Sequence, residues 1–402
     1  MQEANTPPDQ PGRAPRALRS HGSLVRTFAT LAALGGTLAF STPGDPAPTT
    51  ADPTPAGALA DAAALPAAVL AAVPGAVVEA GVEAVGAAAS AASLLDPTLE
   101  PLRGLVRGSD AYQEGRAALS LRIDGQPVPY SVLALTALPG ATLQLDAAVE
   151  DRPETLVLRH ASGVAVAGEP GHWSWTAPEH PGIHALEVSR SGSDEAVRVH
   201  VLVTHARTLV RDETLNGFRI GRYVETPLNG RDAYLPPEGF VEVMASDEDV
   251  LVSPHFTLGQ FLCKQEGDPR YLAFSTPLAI KLEAVLEATN RAGIAAGTLH
   301  VMSGFRTPWY NRAIGNTTDY SRHLWGDAAD VYVDVDGDGD MDDLDGNGRS
   351  DMADARRLAA IVEEAETRGR DALRAGGLGV YDRTSAHGPF VHVDARGYAA
   401  RW

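Results

Sequence analysis

Two histidines and an aspartate in the second half of the chain have the residue types and spacing of a metal site. His323 and Asp330 are separated by six residues, including Gly326, which lets the backbone turn tightly between them. His392 lies in the alternating segment FVHVDAR, on the same predicted strand face as Asp394. Two imidazoles and one carboxylate are ligands that zinc prefers, and a three-ligand site leaves a fourth position for water. These residues therefore predict zinc and hydrolytic chemistry.

The segment around these ligands carries a recognisable motif. The pattern SxHxxGxAxD is present as Ser321, His323, Gly326, Ala328 and Asp330. Together with SGFR at 303–306 and the later HVD, it resembles the zinc D-alanyl-D-alanine carboxypeptidase and endopeptidase family, which shares its fold with hedgehog signalling domains. The resemblance covers about residues 253–402. It implies an α+β zinc peptidase domain that hydrolyses D-amino-acid amide bonds in peptidoglycan stem peptides, as a carboxypeptidase or an endopeptidase.

The resemblance also implies roles for two polar residues beside the ligands. Arg306 would neutralise a substrate carboxylate or the oxyanion of the tetrahedral intermediate, a task suited to a permanently charged guanidinium. Ser321, two residues before the ligand His323, would either orient substrate or cap a turn. Arg306 and Ser321 are therefore the predicted substrate-binding residues.

The general base is where the sequence departs from the family pattern. Many members have Glu three residues before the last zinc histidine and some have His two residues before it, but Pro389 and Phe390 occupy these positions here. His387, on a turn, is the preferred candidate because an imidazole titrates near neutral pH. Asp394 is the alternative, either as the base or as a group that fixes an imidazole. The departure keeps a second function open, a non-catalytic cell-wall-binding or adhesion protein that retains the zinc fold.

An acidic insert at 334–354 predicts calcium binding. Two overlapping loops place oxygen-bearing residues at EF-hand offsets, with Gly339 and Gly348 at the sixth position of each. The second loop also resembles a dockerin repeat, although the duplicated helices of dockerins are missing. The predicted calcium ligands are Asp334, Asp336, Asp338, Asp340, Asp342, Asp343, Asp345, Asn347, Arg349 through its carbonyl, Asp351 and Asp354. A solvated acidic loop is the alternative, but such a cluster repels itself without a cation.

The secondary structure predicted from the sequence changes from strands to helix along the chain. Short alternating runs separated by turn residues fill 117–204 and predict an antiparallel sandwich. The segment WTAPEHPGIHALEVSRSG within it resembles bacterial immunoglobulin-like modules. Trp173 and Trp175 are expected to pack in the core or at the rim of the sandwich rather than bind carbohydrate. Further on, Ser275, Pro277 and Gly293 bound a predicted amphipathic helix.

Composition limits the partners and the compartment. The chain has 402 residues and a net charge of −19, which disfavours nucleic acid as a partner. Its single cysteine, Cys263, excludes an intramolecular disulfide. Four arginines precede the apolar run TFATLAALGGTLAF, a pattern typical of a cleaved signal peptide or a signal anchor. We therefore expect export to the periplasm or cell envelope, with the N-terminus as a candidate membrane anchor.

The expected architecture is multidomain, an all-β immunoglobulin-like sandwich followed by an α+β zinc peptidase domain with a calcium-binding insert. The boundaries follow the changes in composition and pattern. They are 1–45 for the signal segment, 46–110 for a Pro/Ala-rich spacer, 111–205 for the sandwich, 206–252 for a bridging segment and 253–402 for the peptidase domain with its insert at 334–354.

Overall fold

The computed structural model describes residues 92–104, 112–149, 155–370 and 372–402, all within the compact unit Val82–Trp402. The predicted signal segment and most of the predicted spacer lie outside these residues. Among the residues described, none of the helices combines the length and apolar character needed to cross a membrane.

Ten strands form the first part of the described chain. They are β1 (Ala92–Leu95), β2 (Ser120–Ile123), β3 (Gln126–Pro127), β4 (Val132–Ala137), β5 (Thr142–Ala148), β6 (Leu156–His160), β7 (Val164–Ala167), β8 (His172–Thr176), β9 (Gly182–Arg190) and β10 (Ala196–Val203). β1 falls inside the segment 46–110, which was expected to be a spacer. Its backbone pairs in parallel with β6, so this part of the predicted spacer belongs to the edge of a sheet.

These strands make two five-stranded sheets that share one apolar core. The orders are β1-β6-β9-β10-β4 and β3-β2-β5-β8-β7. Alternate residues of β8 point inward, so Trp173 and Trp175 are both buried in the core between the sheets, as the sequence predicted. The structure is thus a β-sandwich, and its immunoglobulin-like character stays a prediction.

The second part contains twelve strands and four α-helices. The strands are β11 (His205–Ala206), β12 (Thr214–Leu215), β13 (Phe218–Arg219), β14 (Gly239–Val243), β15 (Leu251–Ser253), β16 (Phe256–Thr257), β17 (Arg270–Leu272), β18 (His300–Ser303), β19 (Ala328–Tyr332), β20 (Gly377–Tyr381), β21 (Phe390–Asp394) and β22 (Ala400–Arg401). The helices are α1 (Leu258–Phe261), α2 (Thr276–Arg291), α3 (Pro308–Ala313) and α4 (Met352–Arg368). Short 3-10 helices lie at Arg207–Leu209, Leu228–Gly230, Asp232–Tyr234, Ala245–Asp247 and Arg322–Trp325.

A five-stranded sheet in the order β18-β19-β21-β20-β22 is the centre of this part. Helices α2 and α4 contact each other, and α4 packs on β20 and β21. Helix α2 follows Ser275 and has Pro277 in its first turn, as the sequence predicted. Because α2 and α4 support the sheet, its central strands β19 and β21 are fully buried and hold their side chains in fixed positions.

The sandwich and the second part are packed against each other. Ala134 and Leu202 of the sandwich belong to the same buried cluster as the residues around α2 and the central sheet. Thr276, at the start of α2, donates its hydroxyl to the carbonyl oxygen of Ala134 at 2.9 Å. Arg116 forms an ion pair with the buried Glu287 of α2 at 2.5 Å. The segment predicted as a bridge, 206–252, contains the end of β11 and the strands β12, β13 and β14. Its buried residues belong to this common core.

Candidate metal centre

His323, Asp330 and His392 converge at one end of the central sheet. Asp330 on β19 and His392 on β21 are directly opposite in the antiparallel register, so their side chains share one face. His323 comes from the 3-10 helix Arg322–Trp325, which ends at Gly326 in the left-handed conformation with φ 68°. One ligand atom from each of the three residues lies within 4.8 Å of the others. The three predicted zinc ligands are therefore brought together in space.

Hydrogen bonds fix which imidazole atoms face the common point. Nδ1 of His323 lies 2.7 Å from the carbonyl oxygen of Gly304, which can only accept, so Nδ1 carries the proton. Nε2 of His392 lies 3.2 Å from Oδ2 of Asp394 and donates to this carboxylate. The remaining nitrogens, Nε2 of His323 and Nδ1 of His392, lie 3.2 and 3.0 Å from Oδ1 of Asp330. Two nitrogen lone pairs and an anionic oxygen face one point, an arrangement that a bound cation satisfies.

Burial and charge favour the ligand forms of His323 and Asp330. All three side chains are buried, with His323 only 3% exposed. Burial lowers the pKa of His323 and so favours its neutral, ligating form. Burial alone would raise the pKa of Asp330, but the neighbouring His323 and His392 outweigh it and hold that pKa well below its ordinary value. Burial alone would lower the pKa of His392, but its hydrogen bonds with Asp330 and Asp394 outweigh burial and raise that pKa. The donor set therefore fits zinc in atom type, and His323 and Asp330 also fit it in protonation state.

Asp394 lies behind His392, on the far side of its ring from Asp330. It is 0% exposed, and it also accepts hydrogen bonds from the Gly377 N–H at 2.8 Å and from Arg396. The buried Lys281 donates to the Asp394 carbonyl at 2.8 Å and so ties α2 to β21 at this point. Of the two roles predicted for Asp394, this position suits the fixing of an imidazole.

Arg306 lies beside the ligands. Its Nη2 donates to Oδ2 of Asp330 at 2.8 Å, and its Nε donates to the Ser303 hydroxyl at 2.8 Å. Its Nη1 has no hydrogen-bond partner within the described parts of the chain and remains free for a ligand. Ser321 precedes the helix that carries His323, and its hydroxyl does not cap that helix. Both predicted substrate-binding residues line the cleft that opens over the metal ligands.

His387 is not among the residues that line this cleft. Its ring meets the edge of Phe390 at a centroid distance of 4.9 Å, and its Nδ1 lies 2.8 Å from the carbonyl oxygen of the next residue, Gly388. His387 therefore contacts Phe390, which lines the cleft, but does not line the cleft itself. The structure brings the preferred general base near the site but not into contact with the metal ligands.

The cleft has a volume of about 450 Å³ and contains residues that the sequence argument missed. The side chains that line it in addition to those predicted are Asn316, Thr318, Tyr320, Arg322, Tyr381, Phe390, Arg396 and Trp402. Tyr381 and Phe390 are cross-strand partners whose rings stack in parallel at 4.6 Å. A sequence signal for this wall existed in the alternation of GLGVY, which places two glycines and the tyrosine on one strand face.

The acidic insert forms two separate groups of carboxylates. One group contains Asp334, Asp336 and Asp338, and the other contains Asp343, Asp345 and Asp354. Three other predicted calcium ligands have different partners. Asp340 pairs with Arg383, Asp342 accepts from the Val335 N–H at 2.9 Å, and Asp351 caps α4 by accepting from the Ala353 N–H at 2.7 Å.

The buried His-Asp-His group could hold a metal ion, and a family comparison indicates the chemistry that such an ion would serve. Residues 254–345 match the family model described as Peptidase M15. This match contains His323 and Asp330, and the third ligand, His392, joins them through the sheet register. No curated protein and no solved structure matches the chain. The M15 match and the His-Asp-His group together indicate a zinc-dependent peptidase.

Proposed function

We propose that this protein is a zinc peptidase that hydrolyses D-amino-acid amide bonds in peptidoglycan stem peptides, as a D,D-carboxypeptidase or an endopeptidase. The observation that carries the proposal is the convergence of three ligand atoms, two of which come from the segment matched by the Peptidase M15 model. The open cleft above them and the free Nη1 of Arg306 support a peptide substrate with an anionic group.

Each side chain has a distinct task in this proposal. His323, Asp330 and His392 hold zinc, which when bound supplies Lewis acidity that polarises a carbonyl group and makes water more acidic. Asp394 keeps His392 in the tautomer whose Nδ1 is free to ligate. Arg306 uses its free Nη1 to bind the terminal carboxylate or the charge that develops on the carbonyl oxygen.

The test uses the full chain, since the sandwich shares buried contacts with the rest. Zinc- and calcium-loaded protein is incubated with purified muropeptides, and products are followed by mass spectrometry. Loss of D-Ala identifies a carboxypeptidase, and a cut cross-link identifies an endopeptidase. His323→Ala should lose both zinc and turnover, whereas His172→Ala, which removes an exposed sandwich histidine, should keep both. Turnover by zinc-free His323→Ala at the wild-type rate would contradict the proposal.

One observation favours a second candidate function, a non-catalytic cell-wall-binding or adhesion protein. Apart from the three metal ligands, the residues described along the cleft include neither a carboxylate nor an imidazole that would serve as a general base. This candidate predicts retention on peptidoglycan without any product. Binding by stoichiometrically zinc-loaded wild type, with no muropeptide cleaved, would select it over the peptidase.

We also propose that calcium orders the acidic insert. The two carboxylate groups support two cation positions, each with three acidic residues. Calcium chelation should then increase proteolysis between residues 334 and 351. The variant Asp343→Asn/Asp345→Asn should be cleaved between residues 343 and 351 as readily with calcium as without it, while the exposed sandwich variant Asp194→Asn should behave as wild type. Equal cleavage of wild type with and without calcium would refute this role.

Export to the periplasm or cell envelope is proposed from the sequence of residues 1–45, which lie outside the described chain. Peptidoglycan lies in that compartment, so the location agrees with the proposed substrate. Detecting the protein only in the cytoplasmic fraction of the producing cells would overturn the proposed location.

The sandwich is proposed as an immunoglobulin-like spacer or adhesion module.

A further inference from the structure

Strand β20 leaves a gap in the wall of the cleft beside the metal ligands. Gly379 is directly opposite His392 in the register, and Gly377 donates its N–H to Asp394 on the same face. A side chain at Gly379 would collide with Trp402, because a Cβ built there lies 2.5 Å from the indole Nε1. A Cβ built on Gly377 would lie 2.4 Å from Oδ2 of Asp394 and 3.0 Å from the indole ring. The indole of Trp402 therefore occupies the space that these glycines leave.

Trp402 is held in this gap by backbone and side-chain contacts. Its N–H donates to the Leu378 carbonyl at 3.2 Å, and its carbonyl accepts from the Val380 N–H at 3.2 Å. Its ring lies 5.2 Å from the ring of His392, and the Arg396 guanidinium lies 5.3 Å from the indole centre. The indole N–H is thereby aimed along β20 towards the next residue on that face, Tyr381.

The hydrogen bond between Trp402 and Tyr381 fixes which of the two groups is the donor. Nε1 of Trp402 lies 2.6 Å from the Tyr381 hydroxyl, and an indole nitrogen can only donate. The Tyr381 oxygen is therefore the acceptor, and its own O–H must donate to something else. In the part of the chain that the structure describes, no acceptor for this proton is found. Tyr381 is 37% exposed and lines the cleft, so the proton is available to a bound substrate.

Tyr381 and Arg306 lie on opposite flanks of the metal ligands. Arg306 follows β18, whereas Tyr381 ends β20, and the ligand strands β19 and β21 lie between them. One face of the Tyr381 ring stacks in parallel on Phe390, at 4.6 Å and 8°. A peptide bound over the ligands would meet a guanidinium on one side and a phenol on the other.

We propose that Tyr381 is a catalytic residue that donates a hydrogen bond to the carbonyl oxygen of the scissile amide, and that Trp402 positions it. This inference rests on the proposed peptidase function. During hydrolysis the oxygen of water bonds to the carbonyl carbon, the C–N bond breaks and the amine leaves with a proton from water. Tyr381 keeps its own proton throughout, and its hydrogen bond strengthens as the carbonyl oxygen becomes negative.

The first test removes only the hydroxyl. Tyr381→Phe in the zinc-loaded full chain should lower kcat by about 10²-fold, the usual effect of losing one oxyanion donor, and change KM by less than about twofold. Tyr310→Phe is the matched control, because the Tyr310 hydroxyl lies outside the cleft, and it should keep the wild-type kcat. Zinc content is measured for each variant, and a loss of kcat that follows a loss of zinc would overturn the inference.

A binding measurement supplies a readout that does not depend on turnover. Calorimetry with a phosphinate analogue of D-Ala-D-Ala, whose anionic oxygen resembles the charged carbonyl oxygen, should show weaker binding to Tyr381→Phe by about the same factor as kcat. Equal affinity of wild type and variant would overturn the inference.

The role of Trp402 is tested through non-additivity. Trp402→Phe should lower kcat less than Tyr381→Phe, and the double variant should be no worse than Tyr381→Phe alone, since Trp402 acts through Tyr381. Additive losses would show that Trp402 does not act through Tyr381.

The failure of this inference and the failure of the proposed function give different results. Turnover by wild type, with the same kcat in Tyr381→Phe, would refute this inference alone. No turnover by wild type would refute the proposed function and remove the basis of the inference.

Discussion

Stability of the protein should depend on pH through His200, at the junction between the sandwich and the central-sheet part. His200 is 0% exposed on β10, its Nδ1–H donates to the Leu251 carbonyl at 2.7 Å, and its Nε2 accepts from the Leu102 N–H at 2.9 Å. Both nitrogens are thus used in the neutral form. Burial lowers the pKa of His200 from 6.5 to about 4, although the bond to Leu251 partly opposes this shift.

The sign and size of the effect follow from these values. Between pH 6.5 and about 4 the unfolded chain binds a proton at His200 that the folded chain does not, so stability falls as pH falls through this window. The stability that the neutral, buried His200 contributes to the folded protein is fully present above pH 6.5. At about 1.4 kcal/mol for each pH unit, its loss amounts to roughly 3 kcal/mol.

The assay is urea unfolding followed by circular dichroism at pH 7.5 and 4.5, with metals removed by chelation so that their own proton coupling does not contribute. Wild type should lose about 2–3 kcal/mol more than His200→Gln over this range, because the variant lacks the titrating ring. His172→Gln, which replaces an exposed sandwich histidine, should match wild type. An equal loss in wild type and His200→Gln would refute the reasoning.

Three further predictions concern single contacts. Asp394→Asn should weaken zinc binding by about 10- to 100-fold in chelator competition, because it removes the carboxylate that fixes His392; unchanged affinity would contradict that role. Gly326→Ala should lower the free energy of unfolding by more than about 1–2 kcal/mol in urea, since Gly326 is left-handed and a Cβ would collide with the Ala273 carbonyl. Trp175→Ala should destabilise the sandwich by about 3–5 kcal/mol, measured by thermal unfolding, and an unchanged melting temperature would show that Trp175 is not a core residue.

The metal ligands could be predicted from sequence because their signals are local. The turn at Gly326 and the alternation of FVHVDAR each place one ligand without any knowledge of distant residues. The meeting of Asp330 with His392 depends on pairing between strands 62 residues apart, and it was predicted through the family resemblance rather than through spacing.

The wall of the cleft was missed for a physical reason. The position of Tyr381 follows from the register between β20 and β21, and Trp402 reaches the site only because two glycines leave room for its ring. Neither register nor packing is readable from residue types alone. His387 was preferred from its chemistry, yet it contacts Phe390 and does not line the cleft.

The strands of the sandwich were largely readable from alternation, but its attachment was not. Contacts such as Arg116 with Glu287 join residues that are 171 positions apart, and no periodic pattern marks them. The sequence argument treated 206–252 as a bridge of short strands and turns without a core of its own, and its strands pack into the common core.

The shared core between the sandwich and the central sheet has a mechanical consequence. β10 ends at Val203 and β11 begins at His205, so Thr204, which is itself buried, is the sole connecting residue. Such a short, buried junction fixes the orientation of the sandwich relative to the central sheet. A surface that binds the sandwich therefore also sets the direction in which the cleft opens. Which substrate bonds the cleft can reach then depends on the orientation of the whole unit, not on movement of one part relative to the other.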